Sequence, residues 1–292
     1  MVAWPTVCRP TTLGGLGVAD LKLAGIALQS RWLWLQRTDQ GRAWSALEIK
    51  VDPQVEDFFR ASTVALIGNG HRIKFWLDPW INGASVPNLA PNLFKSVPAR
   101  IRSRRTVAQA VQQHAWTRDA SGELNENAIQ ELNTIWNHVQ EIQLEENIED
   151  NFRWNWEASG QYSVKSAYLA LHTGSTHLHG ADLIWKAWAP LKVKIFLWLT
   201  LLRRNWTADR RIRHGLQSHT KCLLCDQEDE TTEHILIQCS YSIQIWWSIL
   251  QRLGYPSVTP GTSSVQDWWL HLRGQLLSSK RQGFDSLFAL IA

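Results

Sequence analysis

Between Cys222 and Cys239 the chain reads CLLCDQEDETTEHILIQC, and this stretch constrains the fold more than any other. Two residues separate Cys222 from Cys225, a spacing that puts two sulfurs on one tight turn. Eight residues later comes His234 and after four more Cys239, so an imidazole and a third sulfur arrive on the next element. Three thiolates and an imidazole suit tetrahedral zinc, with metal–sulfur distances of about 2.3 Å and metal–nitrogen distances of about 2.0–2.1 Å. Four protein donors close the shell, so the expected cofactor is one structural Zn2+ ion held by Cys222, Cys225, His234 and Cys239. Two other readings stand beside it. Buried cysteines are common small hydrophobes, and a C-x-x-C pair does redox chemistry when a thioredoxin-like βαβ pattern precedes it, which is missing here.

The rest of the chain reads as mainly α with small β-hairpins, the helical zinc-binding module lying in the C-terminal half. Asp20 caps a helix with a stripe at Leu21, Ala24, Leu28, Trp32 and Leu35. Asp52-Pro53 opens another. Gly68-Asn69-Gly70 between Val64–Ile67 and Arg72–Leu77 predicts a hairpin, as does Ser159-Gly160 between Phe152–Trp156 and Gln161–Val164. The Pro-rich stretch from Asn82 to Pro98 predicts an extended loop. Thr106 and Asn125 open two further helices, the second with Ile129, Leu132, Ile135 and Trp136 inward. Thr173 to Gly180 (TGSTHLHG) reads as a linker, whose His177 and His179 are expected to bind no metal. Helices follow from Pro190, Thr207, Thr231 and Ser242, and one more from Val265. Eighteen tryptophans should anchor the packing. Four cysteines, three of them clustered, make no disulfide framework and imply a reducing, intracellular setting. No apolar run approaches the ~18–20 residues of a membrane span, so no membrane partner is expected.

Charge is unevenly spread. Lys186 to Lys221 holds nine Lys or Arg residues and one acid, Asp209, whereas Asp119 to Asp150 holds nine acids. Lys95 to Arg105 carries five positive charges and no acid, the pattern of a solvated loop or of a phosphate contact. On the helices before the zinc stretch, Lys192, Lys194, Arg203, Arg204, Arg210, Arg211 and Arg213 are expected to face solvent, with Phe196, Leu197 and Leu201 inward. Such a face neutralises phosphates and releases counterions, and Trp206 is placed to stack on unpaired bases. RNA or DNA is therefore the expected partner, with no small-molecule substrate. Two alternatives remain: a basic face that is merely solvated, and a protein-interaction remnant with Trp268 and Trp269 as its exposed patch. No nucleophile–base pair or cluster of metal-binding carboxylates is apparent, so no catalytic residue is assigned.

Several motifs in order resemble the zinc-binding region that follows the polymerase in plant LINE-type non-LTR retrotransposon reverse transcriptases. They are Ile184-Trp185-Lys186, Pro190-Leu191-Lys192-Val193-Lys194, Phe196-Leu197-Trp198, Thr207 with Asp209, Arg213-His214-Gly215, Cys222, Cys225, Glu230-Thr231, His234, Cys239 and Trp246. Gly160 to Tyr168 (GQYSVKSAY) resembles the segment that introduces this region. Cys8-Arg9-Pro10, Gly14 to Val18, Ala27-Leu28 and Trp32 look like the tail of a polymerase thumb. Ile67 to Gly70 and Phe75 to Trp80 look like the connector after it. The resemblance implies four segments: a helical thumb remnant at 1–60, a connector at 61–172, the zinc-binding domain at 181–255 and a tail at 256–292. It implies a nucleic-acid-binding accessory region of a reverse transcriptase. The aromatic-x-Asp-Asp palm motif that would hold catalytic magnesium is missing, as is a ribonuclease H-like region. The expectation is therefore a non-enzymatic C-terminal piece whose reading frame restarts at Met1.

Overall fold

The structure is a computed structural model that describes residues 2–292 apart from 40, 42, 44–46, 48–49, 217–218 and 256–263. Met1 and the start of the expected tail at Pro256 thus lie outside the described residues. The chain is mainly helical, and its one sheet among the described residues has two antiparallel strands. It divides into two compact units, one of residues 20–173 and one of residues 1–19 with 174–292.

In the 20–173 unit, the Asp20 carboxylate accepts from the N–H groups of Lys22 and Leu23 and opens the helix Leu21–Thr38. The buried face is Ile26, Ala27, Ser30, Leu33 and Trp34. The expected stripe is displaced: Leu21 and Leu28 are exposed and Trp32 is partly so. Apolar residues ring this helix, and tertiary contacts choose among faces that spacing leaves equivalent. Asp52 and Pro53 open the helix Pro53–Ser62 as the sequence indicates, with Val55 and Phe59 inward. In the helix Glu126–Gln140, capped by Asn125, Ile135 is buried but Ile129 is exposed.

Neither local hairpin forms. Strand β1, Thr63–Leu66, pairs instead with β2, Asn151–Trp154, in the register Thr63↔Trp154 to Leu66↔Asn151. The reason lies in Asp150, which is buried beside β2. Its carboxylate accepts the N–H groups of Gly68 and Gly70 at 2.8 Å each, Arg72 at 2.7 Å and Ile73 at 3.3 Å. A side chain some eighty residues away thus satisfies the loop donors that a hairpin ladder would have used. Gly68 is required there, because a Cβ would lie 2.3 Å from the Ile148 carbonyl oxygen. The Pro-rich stretch also differs from expectation. Pro87 and Pro91 sit in the first turns of the helices Val86–Leu89 and Pro91–Ser96, where a missing N–H costs nothing. The basic stretch Lys95 to Arg105, read as a solvated loop or a phosphate contact, likewise contains a short helix, Ala99–Arg104.

Tryptophans hold both cores. Phe75, Trp76, Trp80 and Trp116 cluster with ring centroids 5.0–6.4 Å apart. Asp119 accepts from Trp76 Nε1 at 2.9 Å and Arg105 Nε at 2.8 Å, pairing its buried charge. In the other unit Trp246 meets Trp268 edge-on at 4.8 Å, and Trp269 stacks on Phe288 at 5.0 Å. Trp268 and Trp269 are 4% and 1% exposed, so they form core and not the exposed patch expected of a partner-binding remnant. Their helix, Val265–Gln275, is followed by a second, Ser278–Ile291, which the sequence reading missed. The two pack together because Asp285 accepts from both Trp269 Nε1 and Arg273 Nε. No helix among the described residues is long and apolar enough to cross a membrane.

Candidate metal centre

The turn bearing Cys222 and Cys225 is closed by its own backbone. Cys222 N–H donates to the Glu228 carbonyl at 2.9 Å, Asp226 N–H donates to the Cys222 carbonyl at 2.8 Å, and Lys221 bridges to Asp229. Asp226 takes a left-handed φ of 55°, a conformation that short polar side chains tolerate. The next element starts where the sequence places it, with Thr231 Oγ1 accepting the His234 N–H at 3.0 Å.

His234 and Cys239 are five positions apart, which in an α-helix would leave them about 140° apart around the axis. The chain solves this with a π turn over His234–Gln238, in which the Cys239 N–H reaches back to the His234 carbonyl at 2.7 Å. The wider turn returns Cys239 to the side of His234. Carbonyls released by it are recaptured, that of Ile235 by Ser242 Oγ and that of Leu236 by Trp246 Nε1 at 2.8 Å.

The four side chains meet. One donor atom from each of Cys222, Cys225, His234 and Cys239 lies within 4.8 Å of all the others. Cys222 Sγ stands 4.0 Å from Cys239 Sγ, and Cys225 Sγ stands 3.3 Å from His234 Nε2. A tetrahedron with bonds of about 2.0–2.3 Å has edges of roughly 3.5–3.8 Å, so the spacing fits a zinc ion. Cys222 and Cys239 are fully buried, His234 nearly so, and Cys225 is half-buried. Burial pushes the Cys222 thiol up. Cys225 moves the other way, to about 6, because the backbone N–H groups of Gln227 and Glu228 donate to it, with His234 assisting. Such N–H···S bonds favour the thiolate that metal binding needs and offset the surplus negative charge of three sulfurs around a divalent ion. Among the described residues nothing like a thioredoxin βαβ unit surrounds the pair, and Cys222, Cys225 and Cys239 form no disulfide.

The seven basic residues are less uniform than the sequence reading expects. Lys192 and Arg204 are exposed, and no ion pair holds them among the described residues. Arg203 and Arg213 are exposed too, Arg203 pairing with Glu233 at 3.1 Å and Arg213 with Asp209. Lys194 is half-buried and donates to the Trp185 carbonyl at 3.0 Å. Arg210 corrects the expectation outright. It is 6% exposed, donates to the Arg203 carbonyl at 3.2 Å and lies over the Trp206 ring at 5.4 Å. It lies in the short helix Ala208–Arg213 that follows Thr207, and its guanidinium reaches back to the carbonyl of Arg203, ahead of that helix. Phe196, expected inward, is partly exposed, because the helix Leu191–Leu201 is apolar on nearly every side.

Glu230 is the residue that sequence reasoning passes over as more than a point of resemblance. Buried at 5% exposure, it accepts the Ala208 N–H at 2.8 Å and Arg211 Nη2 at 3.1 Å, while its carbonyl accepts the Asp209 N–H at 3.2 Å. It ties the basic helix Ala208–Arg213 to the hairpin that carries the cysteines. No local pattern marks it within the run Glu228-Asp229-Glu230, because its partners lie about twenty positions earlier.

The chain is 24% identical, along its whole length, to an Arabidopsis thaliana protein named "Putative ribonuclease H protein", of which the alignment covers 50%. The chain thus spans about half the length of that curated relative. No solved structure matches it. Residues 162–246, a span that contains all four converging donors, match the family described as zinc-binding in reverse transcriptase.

Proposed function

We propose that the metal-centred region is a non-catalytic, nucleic-acid-binding accessory region of a reverse-transcriptase-related protein. One zinc ion on Cys222, Cys225, His234 and Cys239 holds the hairpin, and the hairpin holds the basic helix through Glu230. The observation that carries this is the convergence of four soft donors inside the span that matches the reverse-transcriptase zinc-binding family. Four protein donors fill a tetrahedral shell, which leaves the ion a structural role.

The phosphate-binding set is narrower than charge alone suggests. Lys192, Arg203, Arg204 and Arg213 offer exposed cations, and the ion pairs of Arg203 and Arg213 are surface pairs worth about 0–1 kcal/mol that a phosphate readily replaces. Arg210 and Arg211 are built into the fold, and Lys194 is partly so. Trp206, 56% exposed, adds a ring on which an unpaired base stacks.

The test is a titration of the zinc-loaded chain with single-stranded RNA at two salt concentrations. Affinity should fall steeply with salt, and Lys192→Glu with Arg204→Glu should weaken binding while the fold survives. Absence of binding at low salt, or binding indifferent to salt, rejects the reading.

A further inference from the structure

The 20–173 unit carries a second concentration of unneutralised positive charge, on the helix Ala99–Arg104. Pro98, Arg100, Ile101, Arg104, Arg105 and Gln109 line a cleft of about 490 Å³, and none of them is acidic. The cations of this segment divide sharply by role. Arg105 is committed to the buried carboxylate of Asp119, and Arg102 lies over the Phe94 ring at 4.4 Å. Arg100 and Arg104 remain, both exposed, one helical turn apart and with no ion pair among the described residues. Lys74 brings a further cation close, its Nζ 3.4 Å from the Arg104 carbonyl.

Like charges at i and i+4 repel and destabilise a helix. Here the pair is set beside a third cation and over a half-buried isoleucine, with no acid lining the cleft to relieve it. A strand of phosphodiesters would relieve it, because each guanidinium presents a planar fork that matches two phosphate oxygens. From this geometry we propose that the cleft around Arg100 and Arg104 is a separate contact for a nucleic-acid backbone. The site lies on other residues than the metal region, and only the choice of ligand rests on the function proposed above.

The experiment uses the full zinc-loaded chain and a fluorescent single-stranded RNA, titrated across a series of salt concentrations. Arg100→Gln with Arg104→Gln should lower affinity on the order of tenfold and make the log–log salt slope shallower by about 1.4, two contacts at roughly 0.7 each. Arg100→Lys with Arg104→Lys should keep the slope, because charge and not shape sets it. A glutamine pair with unchanged slope and unchanged urea midpoint overturns the inference. If the unmutated chain binds RNA and only Lys192→Gln with Arg204→Gln alters the slope, this site fails alone and the metal-region reading stands. If the unmutated chain binds no RNA but captures polyglutamate, both fail and the cleft belongs to an acidic protein.

Discussion

Cys222 and Cys225 share one turn yet meet different surroundings, and their variants should differ for that reason. Cys222 is sealed from solvent, so Cys222→Ser removes a metal donor and also leaves a hydroxyl fully buried beside the remaining sulfurs. Cys225 is half-buried, and Cys225→Ser removes the donor alone. Both should reduce bound zinc from one equivalent to almost none by elemental analysis, with the larger loss of soluble protein at Cys222. One equivalent retained in either would detach that cysteine from the ion. These donors were legible because all four fall within eighteen residues, where spacing alone brings ligands together. Asp150 was not legible, since its four N–H donors come from Gly68 to Ile73, far back in the chain. Its replacement in Asp150→Asn keeps the shape but discards the charge, and should cost about 2–3 kcal/mol. A urea midpoint within error of the parent would show the loop to be held otherwise.

Elements show the same division between local and distant causes. Helix starts at Asp20, Asp52, Thr106 and Asn125 are fixed by a side chain two or three residues from the N–H it caps, and the sequence displays both partners. The hairpins were misread because turn residues specify where a chain bends, whereas strand pairing depends on who else competes for its donors. The face of Leu21–Thr38 was misread because its apolar residues satisfy helical spacing in more than one direction. The basic helix Ala208–Arg213 depends on Glu230, so Glu230→Gln should lower RNA affinity although it adds no negative charge. The glutamine keeps the Ala208 N–H acceptor and loses the ion pair to Arg211, at a cost of about 1–3 kcal/mol. Loss of amide protection confined to 208–213 and the neighbouring hairpin is the expected readout. Unchanged protection there would break the proposed link between metal hairpin and basic helix. The C-terminal helices carry a pH signature. Burial raises the Asp285 carboxyl above its ordinary value, although Arg273 and Trp269 hold its charged form. A raised folded value means stability that is complete below the unfolded value of about 3.9 and is lost as pH climbs through the folded one. The stability of the parent minus that of Asp285→Asn should therefore decline as pH rises from about 3.5 towards neutrality, measured by urea unfolding. A rising difference would reverse the assignment.

At the scale of the whole molecule, the two units have different means of staying folded, and zinc removal separates them. The 20–173 unit closes around a tryptophan cluster and buried carboxylates that each find several donors, all without the four metal donors. In the other unit, Cys222 to Cys239 buries few large apolar side chains of its own beyond Leu236 and Ile237, since Leu223 and Leu224 are exposed, and its π turn brings His234 and Cys239 together. Structural zinc contributes on the order of 10 kcal/mol in isolated finger peptides. Here the flanking helices share a core through Trp246, Trp268 and Phe288, so the loss should be local rather than total. Treatment with EDTA should expose new protease sites between about residues 220 and 240, loosen the start of Ser240–Arg252 and leave 20–173 as a resistant fragment. RNA affinity should fall in the same preparation and recover on adding zinc, because Glu230 can no longer position the basic helix. Equal loss of protection in both units would mean that the ion supports the entire fold. Unchanged protease resistance with RNA binding intact would mean that the four donors hold their places without a metal, and the link from zinc to basic helix to phosphate would be broken at its first step.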